Sequence, residues 1–400
     1  MLLHYFRKRK TFPFALSLYH LTLHTAEAVW SVNYDGTCIP ELFVSSAWEN
    51  VKRKISLFSF KDREKQNWII RASVSTLTPK EKPLKMKKVH AYEKTESNWT
   101  AAHFLKESAK IGDYLERAAF GDFHTANWLG LQGVGTNWKV DVCNYDLYDG
   151  LAGIALFLGY LSFLTHNPKY ARLAWRACNQ IYQWFQKEQE PLSIGAFNGW
   201  SGVIYGFTHL SSLLNDQKLI EWTHQIIERF DDPENDEELD WIGGAAGCLV
   251  VLLGLYVRTG SQRARSLAIR CGDHLIQKAI RSKVGLGWKS INDSLLTGMA
   301  HGAAGCAEAL AKLFQATVDI RYREAAMSAA HFERSQFCHK NQNWFDWRGS
   351  NPDATVVQWC AGAPGIGLSR TVLFSLLNDP EYKEEIQIAM DTTSWRWWEY

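Results

Sequence analysis

The chain has 400 residues, of which 46% are hydrophobic and 22% are charged, as is typical of a globular protein with one large domain or two smaller ones. Lysine plus arginine number 44 against 42 for aspartate plus glutamate. The net charge therefore gives no electrostatic reason to expect nucleic acid or an acidic membrane as partner. The eight cysteines lack the short regular spacings of a disulfide framework. This predicts a reducing compartment, the cytoplasm.

The N-terminal stretch MLLHYFRKRKTFPFALSLYHLTLHTAEAVW has a basic patch, an apolar run and a small-residue Ala-Glu-Ala, which is loosely the pattern of a signal peptide. His20 and His24 interrupt the apolar run, so we favour a cytosolic protein over a secreted one. Two segments, 150–168 and 241–257, carry no charged residue and could be mistaken for membrane spans. Both start at a Gly-x-x-Gly turn, and we interpret them as buried helices.

The first hundred residues lack the repeat that organises the remainder. The segment VKRKISLFSFKDREKQNWIIRASVSTL predicts one or two helices, TPKEKPLKMKK reads as a charged linker, and HFLKESAKIGDYLERAAF resumes a helical pattern. We place a domain boundary between Thr78 and Ser97.

Five versions of one pattern follow, each a Gly-x-x-Gly turn before an apolar helix. Successive anchor glycines are separated by 49, 45, 58 and 60 positions, about the length of two helices and two loops. The repeat unit is therefore predicted to be a helical hairpin. The anchors are Gly150, Gly199, Gly244, Gly302 and Gly362.

Between the anchors lie helices of a different character, such as PKYARLAWRACNQIYQWFQKEQE and QRARSLAIRCGDHLIQKAIRSK, which are apolar on one face and charged on the other. An inner layer of uncharged helices inside an outer layer of amphipathic ones predicts an all-α fold, an α/α toroid. We expect the free N–H groups of the inner helix starts to point toward one end of the ring. The acidic FDDPENDEELD before the third repeat is interpreted as a solvated loop.

Residues beside the Gly-x-x-Gly turns should converge at that end of the ring. A histidine, a cysteine and a carboxylate on separate turns could make a metal site or a Cys-His nucleophilic pair. Each also has a structural explanation: His301 as a helix cap, Cys360 as packing, and Asp149 and Asp240 as N-terminal caps. The residues presented are Asp149, Asn198, Asp240, His301 and Cys360. Cys248 and Cys306, which follow Gly-Ala-Ala-Gly, are interpreted as core.

The motifs DLYDGLAGIALFLGYL, DWIGGAAG, GMAHGAAG and QWCAGAPGIGLSR resemble the lanthionine synthetase C-like family, zinc-dependent cyclases that fold as α/α toroids. KISLFSFKDREKQNWIIRASV and IGDYLERAAFGDFHTANWLGLQ are similar to the junction between dehydratase and cyclase in class II lanthipeptide synthetases. The likeness covers roughly residues 50 to 390.

The resemblance implies that Cys360 is a Zn²⁺ ligand, that His301 is an acid/base group near the metal, and that Asp240 assists it. Zinc would activate a cysteine thiol of a dehydrated ribosomal precursor peptide, which would add to dehydroalanine or dehydrobutyrine. The partners implied are that peptide and a lanthipeptide export complex, in a bacterial cytoplasm.

Two features depart from the family. Its second ligand pair, a Cys-His-Gly element, would fall near or beyond position 410, whereas the sequence ends at Tyr400 with DTTSWRWWEY, which abandons the helix pattern. We therefore expect a truncated or frameshifted reading. Cys338 and His339, at the exit of an outer helix, form another Cys-His pair, but no glycine follows it and we do not favour it as a substitute for the missing zinc ligands. Ala361 stands where a polar or aromatic residue is common.

The domain prediction is a dehydratase remnant over 1–80, a linker over 81–97, and a cyclase domain over 98–400 that is incomplete at its C-terminus. No phosphate-binding loop is visible, so dehydration is not assigned to this chain. Two alternatives stay open: a metal-poor remnant that binds a peptide without closing rings, and a carbohydrate-active toroid using Asp149 and Asp240 as paired carboxylates.

Overall fold

A computed structural model describes residues 30–32, 38–40, 47–56, 59–77, 100–134, 137–190, 192–230, 232–289, 294–349, 351 and 353–396. The chain divides into two compact units, one of Met1–Lys80 with Val134–Lys139 and the other of Glu81–Gly133 with Val140–Tyr400. The signal-like segment up to residue 29 and the predicted linker 81–97 lie outside the described residues. No helix in the described ranges is both long and apolar enough to cross a membrane.

The first unit holds a small antiparallel pair, β1 (Trp30–Val32) and β2 (Cys38–Pro40), followed by α1 (Ala47–Ser56) and α2 (Phe60–Leu77). The carboxylate of Asp62 accepts hydrogen bonds from the N–H and hydroxyl of Ser59, which fixes the start of α2. The stretch predicted to hold one or two helices therefore holds two.

The second unit opens with α3 (Ala101–Ala118), and the strands β3 (Leu129–Val134) and β4 (Asn137–Val142), which pair with each other, follow it in the chain. Helices then follow in pairs: α4 (Leu151–Thr165) and α5 (Pro168–Lys187), α6 (Trp200–Leu214) and α7 (Lys218–Ile227), α8 (Ala245–Thr259) and α9 (Gln262–Lys278). After the short pair β5 (Ile280–Arg281) and β6 (Leu286–Gly287) come α10 (Ala303–Thr317) and α11 (Ile320–Ser335). The pair β7 (Phe337–Cys338) and β8 (Asn343–Trp344) precedes α12 (Ala363–Leu377) and α13 (Pro380–Arg396).

The packing order of these helices is that of an α/α toroid. Each of α4, α6, α8 and α10 packs against the next inner helix, and all five inner helices, α12 included, pack against the helix that follows in the chain. Their starts carry small residues with no exposed surface, such as Ala245 and Ala303, which let neighbouring backbones approach closely. The predicted fold class, with its inner and outer layers, is confirmed.

Every anchor glycine is the N-cap of its inner helix, so the register read from the sequence is confirmed. Gly362 shows why this position excludes a side chain: its φ is +97°, and a Cβ there would lie 1.8 Å from the carbonyl oxygen of Val356.

The prediction of free N–H groups at the inner helix starts is wrong. The chain before each helix folds back over the helix end, so the first N–H groups are bonded. Leu151 N donates to Asn144 O, Trp200 N to Ser193 O, Ala245 N to Asp236 Oδ2, Ala303 N to Leu296 O, and Ala363 N to Asn343 Oδ1. The first N–H group of each inner helix is therefore not free for a ligand.

The opposite ends of the inner helices share a turn that was not predicted from the sequence. Each ends on a left-handed residue: His166, Asn215, Gly260, Val318 and Asn378. The next residue is Asn, Asp or Ser, and its side chain accepts a backbone N–H at the start of the outer helix. This reversal within two or three residues explains why the outer helices follow so closely.

Two further expectations are corrected. In the acidic segment before α8, Pro233 is buried and the Asp236 carboxylate accepts from Leu239 N and Ala245 N, so this segment is an ordered cap and not only a solvated loop.

The stretch DTTSWR continues α13 to Arg396, because Thr393 bonds to Ala389 O within the helix and buried Thr392 bonds to Gln342 O.

Candidate functional site

Backbone hydrogen bonds join the turns before the five inner helices into one end of the ring, here called the ring mouth. Phe197 O accepts from Leu147 N at 3.0 Å, and Phe197 N donates to Ile242 O at 2.9 Å. Trp241 N donates to Ala300 O at 3.0 Å, and Ala300 N donates to Cys360 O at 3.2 Å. The predicted convergence of the turns therefore follows from direct backbone contacts.

Asp240 and His301, which are 61 positions apart, form a hydrogen-bonded pair at the ring mouth, with Asp240 Oδ2 at 2.6 Å from His301 Nδ1. Asp240 Oδ1 accepts from Ile242 N at 2.9 Å and from Gly243 N at 2.8 Å, and the residue is only 5% exposed. As a carboxylate, Asp240 can only accept hydrogen bonds.

The proton of the pair therefore lies on His301 Nδ1, and Nε2 is left as the basic nitrogen. Within the described ranges Nε2 has no hydrogen-bond partner, and the His301 side chain is 22% exposed. This is the arrangement of a carboxylate that orients a histidine for proton transfer. Asp240 is thus not the N-cap of α8, which is Gly244.

Two polar residues beside the pair complete this part of the mouth. Glu238 bonds to the Asn198 side chain, and partial burial, followed by the charge of Asp240, raises the pKa of its carboxyl. A Cβ at Gly243 would lie 1.6 Å from Glu238 Oε2, so the glycine makes room for this carboxylate. Asn198 was predicted from the sequence to lie at this end of the ring, whereas Glu238 was not. The position of Glu238 two residues before Asp240, in the same acidic segment, could have indicated that it lies here.

Cys360 is half-buried at the mouth, and its sulfur contacts a guanidinium group. Arg348 Nη1 donates to Cys360 Sγ at 3.3 Å, and Cys360 Sγ lies 3.4 Å from Gln358 Oε1. Asp346 holds Arg348 through Nε at 2.9 Å and Nη2 at 2.8 Å, which raises the pKa of the guanidinium and lowers that of the carboxyl. Nothing in the sequence pattern connected Arg348 with Cys360.

These neighbours do not form a zinc donor set. Among the described residues no three His, Cys, Asp or Glu side chains are grouped so as to hold a metal ion. A guanidinium beside the sulfur would also repel a divalent cation. Cys338 lies on β7 at the exit of α11, as expected, and outside any such group.

The other predicted residues take structural places. Asp149 is exposed, and its N–H donates to Asp146 Oδ1 at 3.0 Å, so it does not cap α4, whose N-cap is Gly150. Cys248 and Cys306 are 0% and 2% exposed, which confirms them as core.

Two aromatic side chains from separate turns contact one another at the mouth. The ring centroids of Phe197, from the second turn, and Trp359, from the fifth, are 5.7 Å apart at 53°. The indole of Trp241, the residue that follows Asp240, has the Lys312 ammonium 5.5 Å from its centroid. Phe197 and Trp359 thus belong to turns that are hydrogen-bonded to the turns of Asp240 and His301.

Comparison with known proteins agrees with this architecture. A curated relative, LanC-like protein GCL1 of Arabidopsis thaliana, is 27% identical over 150 residues, covering 34% of this chain and 32% of that protein. The chain thus matches about a third of the length of that relative.

Among solved structures, nisin cyclase superposes with a TM-score of 0.46 at 19% identity, over 73% of this chain and 74% of that one. Cellobiose 2-epimerase from Bacillus thermoamylovorans superposes with a TM-score of 0.44 at 11% identity, over 72% and 87%. The sequence model of the family described as lanthionine synthetase C-like protein matches residues 141–396, which is more than half of the chain. The chain therefore belongs to the lanthionine synthetase C-like family.

Proposed function

We propose that this chain is a cyclase that closes thioether rings in a dehydrated ribosomal peptide. The reaction is the addition of a peptide cysteine thiol to the double bond of dehydroalanine or dehydrobutyrine. The observation that carries the proposal is the Asp240–His301 pair, at 2.6 Å, in the mouth of a toroid of this family.

The pair can move the one proton that the reaction requires. His301 Nε2 accepts the thiol proton as sulfur bonds to the β-carbon of the alkene, and the resulting enolate takes a proton back from Nε2 at its α-carbon. The ionised Asp240 stabilises the imidazolium between these steps. One C–S bond and one C–H bond form, the S–H bond and the alkene π bond are lost, and no oxidant is needed.

The aromatic rings of Phe197 and Trp359 support the choice of a peptide substrate. They present apolar surface with defined orientation on turns that are hydrogen-bonded to the turns of Asp240 and His301, and such surface binds the side chains of an extended peptide at low entropic cost.

The proposal includes zinc only as a metal predicted to bind at Cys360. Cys360 is one thiol donor, and the described residues around it supply no further group of ligands. We derive no step through the metal. Metal analysis of the purified protein tests the prediction: near-stoichiometric zinc that is lost in Cys360→Ala supports it, and no zinc in the parent protein contradicts it. Cys338→Ala is the matched control.

The experiment for the activity uses a synthetic peptide with one dehydroalanine and one cysteine. Ring closure leaves the mass unchanged but removes the free thiol, so alkylation followed by mass spectrometry counts open and closed peptide. We expect the parent protein to close rings and His301→Gln to close them about 10²- to 10⁴-fold more slowly.

An unaltered rate in His301→Gln would contradict the role of His301. Peptide binding by the parent without any ring closure would favour the alternative of a peptide-binding remnant. The carbohydrate-active alternative has less support, because both Asp240 oxygens are already engaged.

The wider setting is also proposed from the family. We propose a bacterial cytoplasmic protein similar to the C-terminal region of class II lanthipeptide synthetases, with residues 1–80 derived from a dehydratase domain. A lanthipeptide export complex is the proposed second partner.

A further inference from the structure

A cavity of about 480 Å³ opens between α6 and α8 and reaches the ring mouth at Phe197 and Trp241. Its walls are mainly apolar and are formed by Val250, Val251 and Leu255 of α8 and by the rings of Phe197 and Trp241. Cavities of this size and character are typical of small-ligand sites.

Gly254 keeps the cavity open. It lies in the interior of α8, where glycine is unfavourable by about 1 kcal/mol relative to alanine. A Cβ built at Gly254 would meet no atom within 4 Å, so packing does not require the glycine.

The polar end of the cavity is formed by residues of α6 and α8. Tyr205 and His209 lie one turn apart on α6 with ring centroids 4.4 Å apart, and Tyr160 Oη lies 3.0 Å from His209 Nδ1. Burial, and then the charge of Arg258, lowers the pKa of His209, so this imidazole is neutral at neutral pH. Its neighbour Arg258 is therefore the cation of the cavity.

Arg258, an exposed residue in the last turn of α8, differs from the guanidinium groups at the ring mouth and in the core. Its Nη1 donates to Ser212 Oγ at 3.3 Å, and no carboxylate lies within 4 Å of it in the described ranges. Arg348 and Arg370, in contrast, are paired with Asp346 and Glu385. A guanidinium has five donors and keeps its charge at every physiological pH, so Arg258 has donors to spare beside an apolar space.

We propose that this cavity binds a monocarboxylate carried on an aromatic or branched apolar body. The carboxylate bonds to the guanidinium of Arg258 and the hydroxyl of Tyr205, and the apolar body fills the space along Val250, Val251 and Leu255. One cation beside a neutral imidazole matches one negative charge. Asp240 and His301 do not line this cavity, which shares Phe197 and Trp241 with the ring mouth, and binding of a small acid here does not require cyclase activity.

Calorimetric titration of the full chain with N-acetyl-L-phenylalanine and with its amide tests the proposal. We expect the acid to bind about tenfold or more tightly than the amide, because only the acid pairs with Arg258. Arg258→Met should abolish this preference, whereas Arg265→Met, which alters a guanidinium stacked on Tyr256, should keep it. Equal binding of acid and amide, no binding of either, or an unchanged preference in Arg258→Met would overturn the proposal.

Gly254→Leu tests the location independently. A leucine side chain enters the cavity without meeting another atom at its Cβ and improves helix propensity, so we expect unaltered or raised thermal stability together with loss of binding of both probes. A folded Gly254→Leu protein that binds the acid like the parent would overturn the location.

A glycine-rich peptide ending in phenylalanine with a free carboxylate tests whether the ligand of the cavity is a peptide C-terminus or a free aromatic acid. Binding of the peptide as tight as that of the small acid assigns the site to a peptide C-terminus. Exclusion of the peptide with retention of the small acid assigns it to a free aromatic acid. Either result supports the proposed carboxylate site.

Discussion

The carboxylate of Glu333 on outer helix α11 accepts a hydrogen bond from the backbone N–H of Gly298 at 2.7 Å. Gly298 lies three residues before His301 and has a φ of +97°, and a Cβ there would lie 2.5 Å from Cys360 O. Glu333 is fully buried, and its second oxygen has no hydrogen-bond partner among the described residues. An outer helix thus fixes the turn that presents the candidate acid/base residue.

Burial of Glu333 should make the stability of the protein depend on pH. It raises the pKa of the carboxyl from 4.5 to about 7, with the charge of Arg370 opposing the shift. Between these two values the native state binds more protons than the unfolded state, so the free energy of unfolding falls as the pH rises from about 4.5 to about 7.

Glu333→Gln removes this titration and keeps an acceptor for Gly298 N. We expect it to match the parent at acidic pH and to exceed it above pH 7 by about 3 kcal/mol at most, as measured by urea unfolding across the pH range. Glu324→Gln, on the exposed face of the same helix, is the control. Parallel curves for parent and Glu333→Gln would show that Glu333 does not titrate in this range.

The ion pairs that Glu385 of α13 makes with Arg370 of α12 and Arg334 of α11 predict a strong dependence of stability on Glu385. Its carboxylate accepts from the fully buried Arg370 and from Arg334. Glu385→Ala leaves the Arg370 charge buried without a carboxylate, and we expect a loss of about 3–5 kcal/mol in the free energy of unfolding. Urea denaturation measures it, with the exposed neighbour Glu384→Ala as control. A loss below about 1 kcal/mol would mean that the pair is solvated.

Asp240→Asn should separate chemistry from folding at the ring mouth. The amide oxygen can still accept from Ile242 N and Gly243 N, so we expect the melting temperature to change little. The amide nitrogen facing His301 Nδ1 favours the wrong tautomer, so ring closure in the thiol-counting assay should slow by about 10²- to 10⁴-fold. Asp353→Asn, an exposed substitution, serves for comparison. Full activity in Asp240→Asn would exclude an orienting role.

Cysteine reactivity should follow burial. Of the seven cysteines whose side chains are described, Cys338 and Cys360 are half-buried and the other five are buried. Burial raises the pKa of the Cys143 thiol to about 11 and also raises that of Cys178. Brief iodoacetamide treatment of the native protein, followed by peptide mass mapping, should label Cys338 and Cys360 first. Equal labelling of Cys178 would contradict the packed inner and outer layers.

Much of the fold could be predicted from local sequence patterns. Uncharged helices after each Gly-x-x-Gly turn and amphipathic helices between them specify which helices are inner and which are outer, because burial on all sides excludes charge. The small strand pairs, such as β7 and β8, were missed because two-residue strands carry no periodicity of their own.

The sequence by itself determined the five glycine anchors, the two-layer toroid and the convergence of Asp240, His301 and Cys360 on one end. Only the tertiary structure decided their contacts: Asp240 with His301, Arg348 with Cys360, and the inner helix ends closed by the preceding chain. The physical reason is the range of the interactions. Helix periodicity and capping act over a few residues, whereas these contacts depend on how separate turns, 61 positions apart for Asp240 and His301, fold back over one another.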